Sequence, residues 1–432
     1  GILIDADYRE PERALAQTKT AIESGTAVLF EAAFLYQKTL VRVDILVKNA
    51  DGSWDLIEVK SSTQLKEEHL SDVAIQRYVL EGNGLRFNKT WVMHLNRACK
   101  YPKLENLFSK TDCTAAVEKR LSLVSDTVDK LTTALAAPHP PSVPIGPYCD
   151  SPRACAFKST CWAGIPEHSV FELHGAWAST KFKLYSNGIV RISEIPVSQK
   201  VPRSKAEQLQ AVRTGKPVLD ATGLAAFLAS MQYPIYFLDF ETIGFAIPRH
   251  GGMAPYDQLP FQYSCHVLES PDGSLRHCEY LAEGNEDCRE DLAKRLISDL
   301  GSMGTIVAFN QGFEKARLAE MAEFLPELSV AVEKVLGRFV DLKDAFTKYY
   351  YHPDFHGSFS LKEVLPALVP QMSYSGMSVS DGVSAQAAFA KLQEPSLSAS
   401  QREEVRKGLL EYCKQDTLAM VELLRVLQDL VT

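Results

Sequence analysis

Three short stretches in the last 200 residues carry side chains suited to hydrolytic chemistry: Asp239-Phe-Glu241, Asn310-Gln-Gly-Phe-Glu314 and Tyr412-Cys-Lys-Gln-Asp416. Together they hold four carboxylates and one tyrosine. Convergent carboxylates have a common use, which is to hold two divalent metals against a phosphodiester. A phenol is a poor base at neutral pH but a good hydrogen-bonding group, so Tyr412 is suited to orienting a water molecule.

The elements that must position these groups can be read locally. Pro234-Ile-Tyr-Phe-Leu238 is a short apolar run that predicts a buried central strand. Asp239 and Glu241 then lie two apart at its end and leave on one face. Thr305-Ile-Val-Ala-Phe309 predicts another buried strand, followed by the turn Asn310-Gln-Gly, with Glu314 opening a helix over 315–324. A last helix is predicted over 402–430, with Leu409, Cys413, Met420, Leu424 and Leu427 near helical period. Tyr412 and Asp416 are four apart on it and share a face.

In order and spacing these stretches resemble the DnaQ-like 3′→5′ exonucleases, in the subtype whose last motif reads Tyr-x-x-x-Asp. The resemblance implies a ribonuclease H-like α/β domain over 231–432, a central mixed sheet with flanking helices. It also implies Mg²⁺ or Mn²⁺ on Asp239, Glu241, Glu314 and Asp416, with removal of nucleotides from a 3′ end. The middle acid of that family is usually Asp; here it is Glu314, which reaches a metal from a backbone set one methylene further back. Phe359-Ser-Leu-Lys-Glu-Val-Leu-Pro-Ala-Leu368 resembles the helix that precedes the family's last motif. Phe240 and Phe245 are expected to stack against bases of a single-stranded end. His352 and His356, in a Tyr/Pro/Gly-rich loop, read as substrate contacts or loop polars.

Residues 40–60 read as a hairpin. Val41, Val43, Ile45 and Val47 alternate with Arg42, Asp44, Leu46 and Lys48, the period of a half-buried strand. Asn49-Ala-Asp-Gly-Ser53 is a turn cluster, and Trp54–Lys60 is the return strand. Counting through the turn brings Asp44 opposite Glu58 or within one residue of it, with Lys60 on the same face as Glu58. Glu31 lies in a stretch read as helical, and Asp72–Tyr78 begins an amphipathic helix.

The ensemble Glu31, Asp44, Glu58-Val-Lys60 and Gln76-x-Tyr78 resembles the PD-(D/E)xK nucleases of the RecB type, the restriction-endonuclease-like fold. The resemblance implies metal ligation by Asp44, Glu58, the carbonyl of Val59 and Glu31. It gives Lys60 the attacking water, and Gln76 and Tyr78 the substrate.

Cys149, Cys155 and Cys161 stand at even spacing in a Pro-rich segment. Close, even spacing of soft thiolates points to a metal. The run resembles the C-terminal cysteine set of RecB-type nucleases that carry a [4Fe–4S] cluster, whose fourth cysteine lies far upstream. No cysteine precedes Cys99, so that ligand is expected ahead of Gly1. Zinc is the alternative, with Cys99 or Cys113 as a fourth ligand.

At 432 residues and 46% hydrophobic content the chain is long enough for two enzymatic domains. No apolar stretch approaches the roughly 18–20 residues of a membrane span, so a cytoplasmic protein is expected. The net charge of −8, from 54 acids against 46 bases, is unusual for a nucleic-acid binder. Two acid-rich metal sites account for part of it. Residues 180–216 reverse the balance locally, with Lys181, Lys183, Arg191, Lys200, Arg203, Lys205, Arg213 and Lys216 against Glu194 and Glu207, a charge able to attract phosphate. The expected organisation is a RecB-like nuclease over 1–165, a basic connecting region over 166–230 and the exonuclease over 231–432.

The whole chain resembles an uncharacterised bacterial family that fuses these two nuclease types. The expected function is a dual metal-dependent nuclease, acting on DNA rather than RNA, in repair, phage defence or spacer processing. A nucleic-acid-binding scaffold with one or both sites inactive is the alternative.

Overall fold

A computed structural model describes residues 1–196, 203–271, 273–284 and 286–432, without the side chains of Arg203 and Ser204. The protein is mixed α/β and divides into two compact units. Unit 1 comprises residues 1–144 with 244–257, and unit 2 comprises 145–243 with 258–432. The boundaries expected at 165 and 230 do not coincide with this division. It groups the cysteine loop with unit 2.

Unit 1 is built on a six-stranded sheet in sequential order: β1 (Ile2–Leu3), β2 (Val28–Tyr36), β3 (Thr39–Lys48), β4 (Trp54–Lys60), β5 (Phe87–Leu95) and β6 (Phe108–Asp112). Its helices are α1 (Pro11–Glu23), α2 (Glu67–Gly82) and α3 (Thr114–Ala136). The pairs β2–β3 and β3–β4 are antiparallel, whereas β4 and β5 are parallel, joined by the crossover helix α2. The predicted hairpin is present, with Lys48 paired to Trp54 across the turn. Its first strand is not half-buried as the alternation suggested. Val43 and Leu46, of opposite parity, are both fully buried, so the strand is covered on both faces.

Unit 2 begins with α4 (Lys158–Cys161), α5 (Ala178–Ser186), α6 (Arg203–Thr214), β7 (Val218–Leu219) and α7 (Ala221–Ala229). Next come β8 (Ile235–Gly244), β9 (Gln258–Leu268), β10 (Leu275–Leu281), α8 (Arg289–Leu300), β11 (Thr305–Ala308), α9 (Gly312–Phe324), α10 (Ser329–Leu336) and β12 (Phe339–Asp341). The chain closes with α11 (Lys343–Lys348), β13 (Tyr350–Tyr351), α12 (Leu361–Leu368), α13 (Gly382–Leu392) and α14 (Ala399–Asp429). Five strands form a mixed sheet in the order β10-β9-β8-β11-β12. The central strand β8 runs parallel to β11, and β11 parallel to β12, while β9 and β10 are antiparallel.

Two local features set this sheet. Gly304, at φ +85°, comes so close to Pro234 that a Cβ would lie 2.0 Å from its carbonyl oxygen, so only glycine lets β11 start beside β8. Against the sheet lies α14, whose N-terminus is capped by Ser398 accepting from the Gln401 backbone. Gln262 on β9 donates to the Leu409 carbonyl at 2.8 Å, and Thr417 bonds both Ser264 and His266 at 2.8 Å. These buried polar contacts fix the rotation of α14 and hence the aim of Tyr412 and Asp416.

Candidate active site

The central strand continues past its acids. Asp239 and Glu241 sit inside β8, which runs to Gly244, rather than at its end. Two residues apart on a strand, they share a face as expected. The third acid reaches them from α9. Asn310 turns the chain at φ +74°, and Asp341 at the end of β12 holds that turn, accepting from the amides of Asn310 (2.8 Å) and Gln311 (3.1 Å). Glu314 follows in the first turn of α9, buried, with Oε2 lacking a hydrogen-bond partner among the described residues. From α14, Tyr412 and Asp416 enter the same cleft, both buried.

The cleft has a volume of about 360 Å³, and its lining includes Asp239, Asn310, Lys362, Tyr412 and Asp416. Three cleft groups escaped sequence reasoning. Tyr374 donates to Asp416 Oδ1 at 2.5 Å. Lys362, on α12, places its ammonium 5.5 and 5.6 Å from the ring centres of Tyr374 and Tyr412 and donates to the Ser380 carbonyl at 2.6 Å. Cys413 is buried as predicted, but its Sγ lies 3.7 Å from Asp239 Oδ2, and a ligand atom of each of Asp239, Glu241 and Cys413 falls within 4.8 Å of the others.

Burial and mutual repulsion raise the affinity of these acids for protons. Desolvation lifts Asp239 well above the usual carboxylate range, and the charges of Asp416, Glu241 and Glu314 add to it. Burial pushes Glu241 up to about 8, with Asp416 adding and Lys362 opposing. Glu314 is raised to about 7, by burial first. Asp416 reaches about 6 because burial outweighs the hydrogen bonds from Tyr374 and Tyr412. Burial likewise lifts the phenols of Tyr412 and Tyr374, so both remain protonated donors at neutral pH. Such a set is poised to exchange protons for divalent cations. With the unpartnered Glu314 oxygen and an array of hard oxygen donors, Asp239, Glu241, Glu314 and Asp416 fit Mg²⁺ or Mn²⁺.

Unit 1 holds a second cluster. The register Ile45↔Ile57 extends to place Asp44 across from Glu58, and Asp44 Oδ2 accepts from the Val59 amide at 2.6 Å. Glu58 is buried and raised to about 7, by desolvation first, with Asp44 adding to the rise and Lys60 and Gln76 opposing it. Lys60 donates to Glu58 Oε1 at 2.7 Å and also bonds Asp72. Desolvation acts to lower the lysine, but its bonds to Asp72 and Glu58 outweigh that and hold it above its ordinary value. Lys60 is therefore a fixed cation at neutral pH. Asp44, Glu58 and the Val59 carbonyl supply oxygen donors that fit a hard divalent ion.

Several expected roles are corrected. Glu31 lies in β2, not in a helix, at φ +58° between the paired residues Phe30 and Ala32. It is half exposed, and its ion-pair partner is Arg42 at 3.6 Å. The helix carrying Gln76 begins at Glu67, five residues before the expected start. Gln76 is buried and spends its amide on Glu58 (2.8 Å) and Asp72 (3.3 Å), so it braces the acid rather than substrate. Tyr78, two positions on, points elsewhere and bonds Gln37. Phe240 is buried and unable to stack on a base, and Phe245 is covered by the Arg249 guanidinium at 4.2 Å.

The cysteine loop does not form a single-ion site. Cys149 is buried while Cys155 and Cys161 are exposed. Two groups of three or more ligand atoms lie within 4.8 Å of one another among the described residues, and neither includes a cysteine of this loop. Cys99 and Cys113 donate to the carbonyls of Lys103 and Thr90, at 3.3 and 3.2 Å. As arranged, these thiols do not form a four-thiolate zinc site. In the basic segment, Lys181 and Arg213 are bound to the carbonyls of Phe171 and Ile195. Lys200 and the side chain of Arg203 lie outside the described residues.

Comparison with known proteins places an uncharacterised domain over the cleft. A family model described as "Domain of unknown function (DUF2779)" matches residues 236–360, which include Asp239, Glu241 and Glu314. The chain is 27% identical over 221 residues to Uncharacterized protein UU173 of Ureaplasma parvum serovar 3, covering 46% of this chain and 32% of the relative. It is 27% identical over 215 residues to Uncharacterized protein MG366 of Mycoplasma genitalium, with the same two coverages. The chain thus spans about a third of the length of the curated relatives it matches. No solved structure matches. Among the described residues no helix is long and apolar enough to cross a membrane.

Proposed function

We propose that this chain is a dual metal-dependent nuclease, with a DnaQ-like 3′→5′ exonuclease site in unit 2 and a PD-(D/E)xK-type site in unit 1. The observation that carries the reading is that Asp239 feels the charges of Glu241, Glu314 and Asp416, brought to it from the central strand and two helices, with Asp239 and Asp416 lining one cleft. Burial raises the pKa of all four acids, neighbouring site acids add to the rise at Asp239 and Glu241, and a structural role would be served better by apolar side chains. The mixed sheet with flanking helices agrees with the ribonuclease H-like fold that the motifs imply.

In unit 2 the four acids would hold Mg²⁺ or Mn²⁺, which would supply Lewis-acid stabilisation of charge on the reacting phosphate and its attacking water. The chain's own groups do the rest. Tyr412 presents a protonated hydroxyl able to orient the water. Tyr374 holds Asp416 in place and keeps it ionised. Lys362 contributes positive charge beside Glu241 and Asp416, where a nucleic-acid phosphate would enter.

In unit 1, Asp44, Glu58 and the Val59 carbonyl would hold the ion. Lys60, a fixed cation, orients water and stabilises charge on the phosphate rather than taking a proton. Gln76 positions Glu58. Single-stranded DNA ends are the proposed substrate, in repair, phage defence or spacer processing. Metal-dependent cleavage of an end-labelled oligonucleotide, with Asp44→Ala and Asp239→Ala assayed separately, tests the proposal. Full activity in both variants and in the double variant would overturn both site assignments, and no cleavage by the unaltered chain would favour the binding scaffold.

A further inference from the structure

Away from the acid cleft, unit 2 gathers His168, Glu172 and His356, with one ligand atom of each within 4.8 Å of the others. His356 Nδ1 lies 3.0 Å from Glu172 Oε2, and His168 Nδ1 lies 3.7 Å from the same oxygen. The two imidazoles are stacked, centroids 5.1 Å apart at 13°. At 3.7 Å the His168 nitrogen is too far to hydrogen-bond the carboxylate. It is buried and has no hydrogen-bond partner among the described residues, an uncommon condition for a buried ring nitrogen.

The backbone around the three residues is held in place by contacts of its own. His168 and His356 adopt φ +54° and +48°, a left-handed conformation that non-glycine residues hold only where surrounding structure imposes it. Gly357, at φ +76°, packs so tightly that a Cβ would fall 1.6 Å from the Glu172 carbonyl oxygen. Gln208 donates to that same carbonyl at 2.9 Å and accepts from the His174 amide at 2.8 Å. His174 Nδ1 meets the Gly357 carbonyl at 3.0 Å. Two segments 184 residues apart are thereby aligned so that the imidazoles and the carboxylate face one another.

We propose that His168, Glu172 and His356 form a zinc site, separate from the carboxylate cleft and independent of the nuclease reading. Two imidazoles and one carboxylate are a donor set suited to Zn²⁺ rather than Mg²⁺. All three side chains are between about a quarter and two-fifths exposed, which leaves a further coordination position open to water. The site's place in the chain gives it a task. Just beyond His356, Phe359 packs edge-on against His174 at 4.6 Å, and Phe359, Ser360, Leu361 and Lys362 all line the acid cleft. A metal here ties the segment that delivers Lys362 to the 168–174 segment.

The test is titration of the full chain with Co²⁺ and Zn²⁺ alone, followed by electronic absorption, calorimetry and thermal melting. His168→Asn with His356→Asn removes both ring ligands while keeping a residue that tolerates positive φ. Glu172→Gln is a second variant that leaves both histidines. Wild-type protein should bind one equivalent more than either variant, show cobalt d–d bands without thiolate charge-transfer bands, and gain melting temperature with Zn²⁺. Asp239→Ala, which removes the cleft metal, should still bind one equivalent more than the same variant carrying either set of substitutions, with the d–d bands and the melting gain kept. Equal stoichiometry and spectra in wild type and both variants would overturn the site, as would signals that vanish only when Cys149, Cys155 and Cys161 are replaced by serine.

Discussion

Tyr374 donates its hydroxyl proton to Asp416 Oδ1 at 2.5 Å, across 42 residues of chain and within the acid cleft. The bond favours the ionised carboxylate that a metal needs. Tyr374→Phe should raise the Mg²⁺ concentration for half-maximal activity about tenfold, the size of one hydrogen bond to a charged group. The acid limb of the pH profile should also move to higher pH, because Asp416 loses a contact that lowers its pKa. An unchanged metal requirement and profile would show that Tyr374 is a packing residue.

Tyr412 and Asp239 should separate cleanly. Tyr412→Phe should retain metal and oligonucleotide binding while losing about a hundredfold in rate, as expected for one oriented donor. Asp239→Ala should lose the metal itself. Calorimetric Mn²⁺ titration of both variants, beside single-turnover rates, checks the division. Loss of Mn²⁺ binding in Tyr412→Phe would place the phenol in a structural role.

The N-terminal site makes a parallel contrast. Lys60→Ala should leave divalent-metal binding largely intact and slow cleavage, because its ammonium serves water and phosphate. Glu58→Ala should weaken metal binding. Gln76→Leu should behave as a milder Glu58 variant, since its amide holds that carboxylate. Equal metal affinity in Lys60→Ala and Glu58→Ala would sink this assignment.

The metal-free protein should respond to pH in a definite direction. Glu241, Glu314 and Asp416 are raised to about 8, 7 and 6 in the folded state, against 4.5, 4.5 and 3.8 for the free groups. Between roughly pH 4 and 8 the folded chain therefore binds more protons than the unfolded chain. Stability in chelator should fall as pH rises through that window. Mn²⁺ should restore it most at the alkaline end, where its ligands are already ionised. Urea midpoints at three pH values, with and without Mn²⁺, read this directly. A chelator midpoint that rises with pH would refute the assignment of these acids as the dominant linkage.

Much of this arrangement was legible in local pattern. The apolar run before Asp239, the turn at Asn310 and the helical period around Tyr412 placed three motifs on the elements they occupy. The Asp-Gly turn likewise brought Asp44 opposite Glu58 or within one residue of it, and Asp44 accepts from the neighbouring Val59 amide. What failed were features set by long-range packing. Helical patterning around Glu31 lost to strand pairing with β3, and Tyr78 turned away because its helix buries Gln76 instead. Tyr374 and Lys362 gave no signal, since a tyrosine in a loop and a lysine on a short helix become cleft residues only once α12 packs against α14. The even cysteine spacing promised a metal loop, yet spacing alone did not bring the thiols within reach of a single ion.

The central claim is best tested by following a 5′-labelled single-stranded DNA on a sequencing gel, in a protein already disabled by Asp44→Ala and Glu58→Ala. With Mn²⁺ present, the labelled strand should shorten one nucleotide at a time from its 3′ end, and added Asp239→Ala should abolish the ladder. A ladder that persists unchanged with Asp239→Ala would contradict the account and require the cleft to be reread as a binding surface.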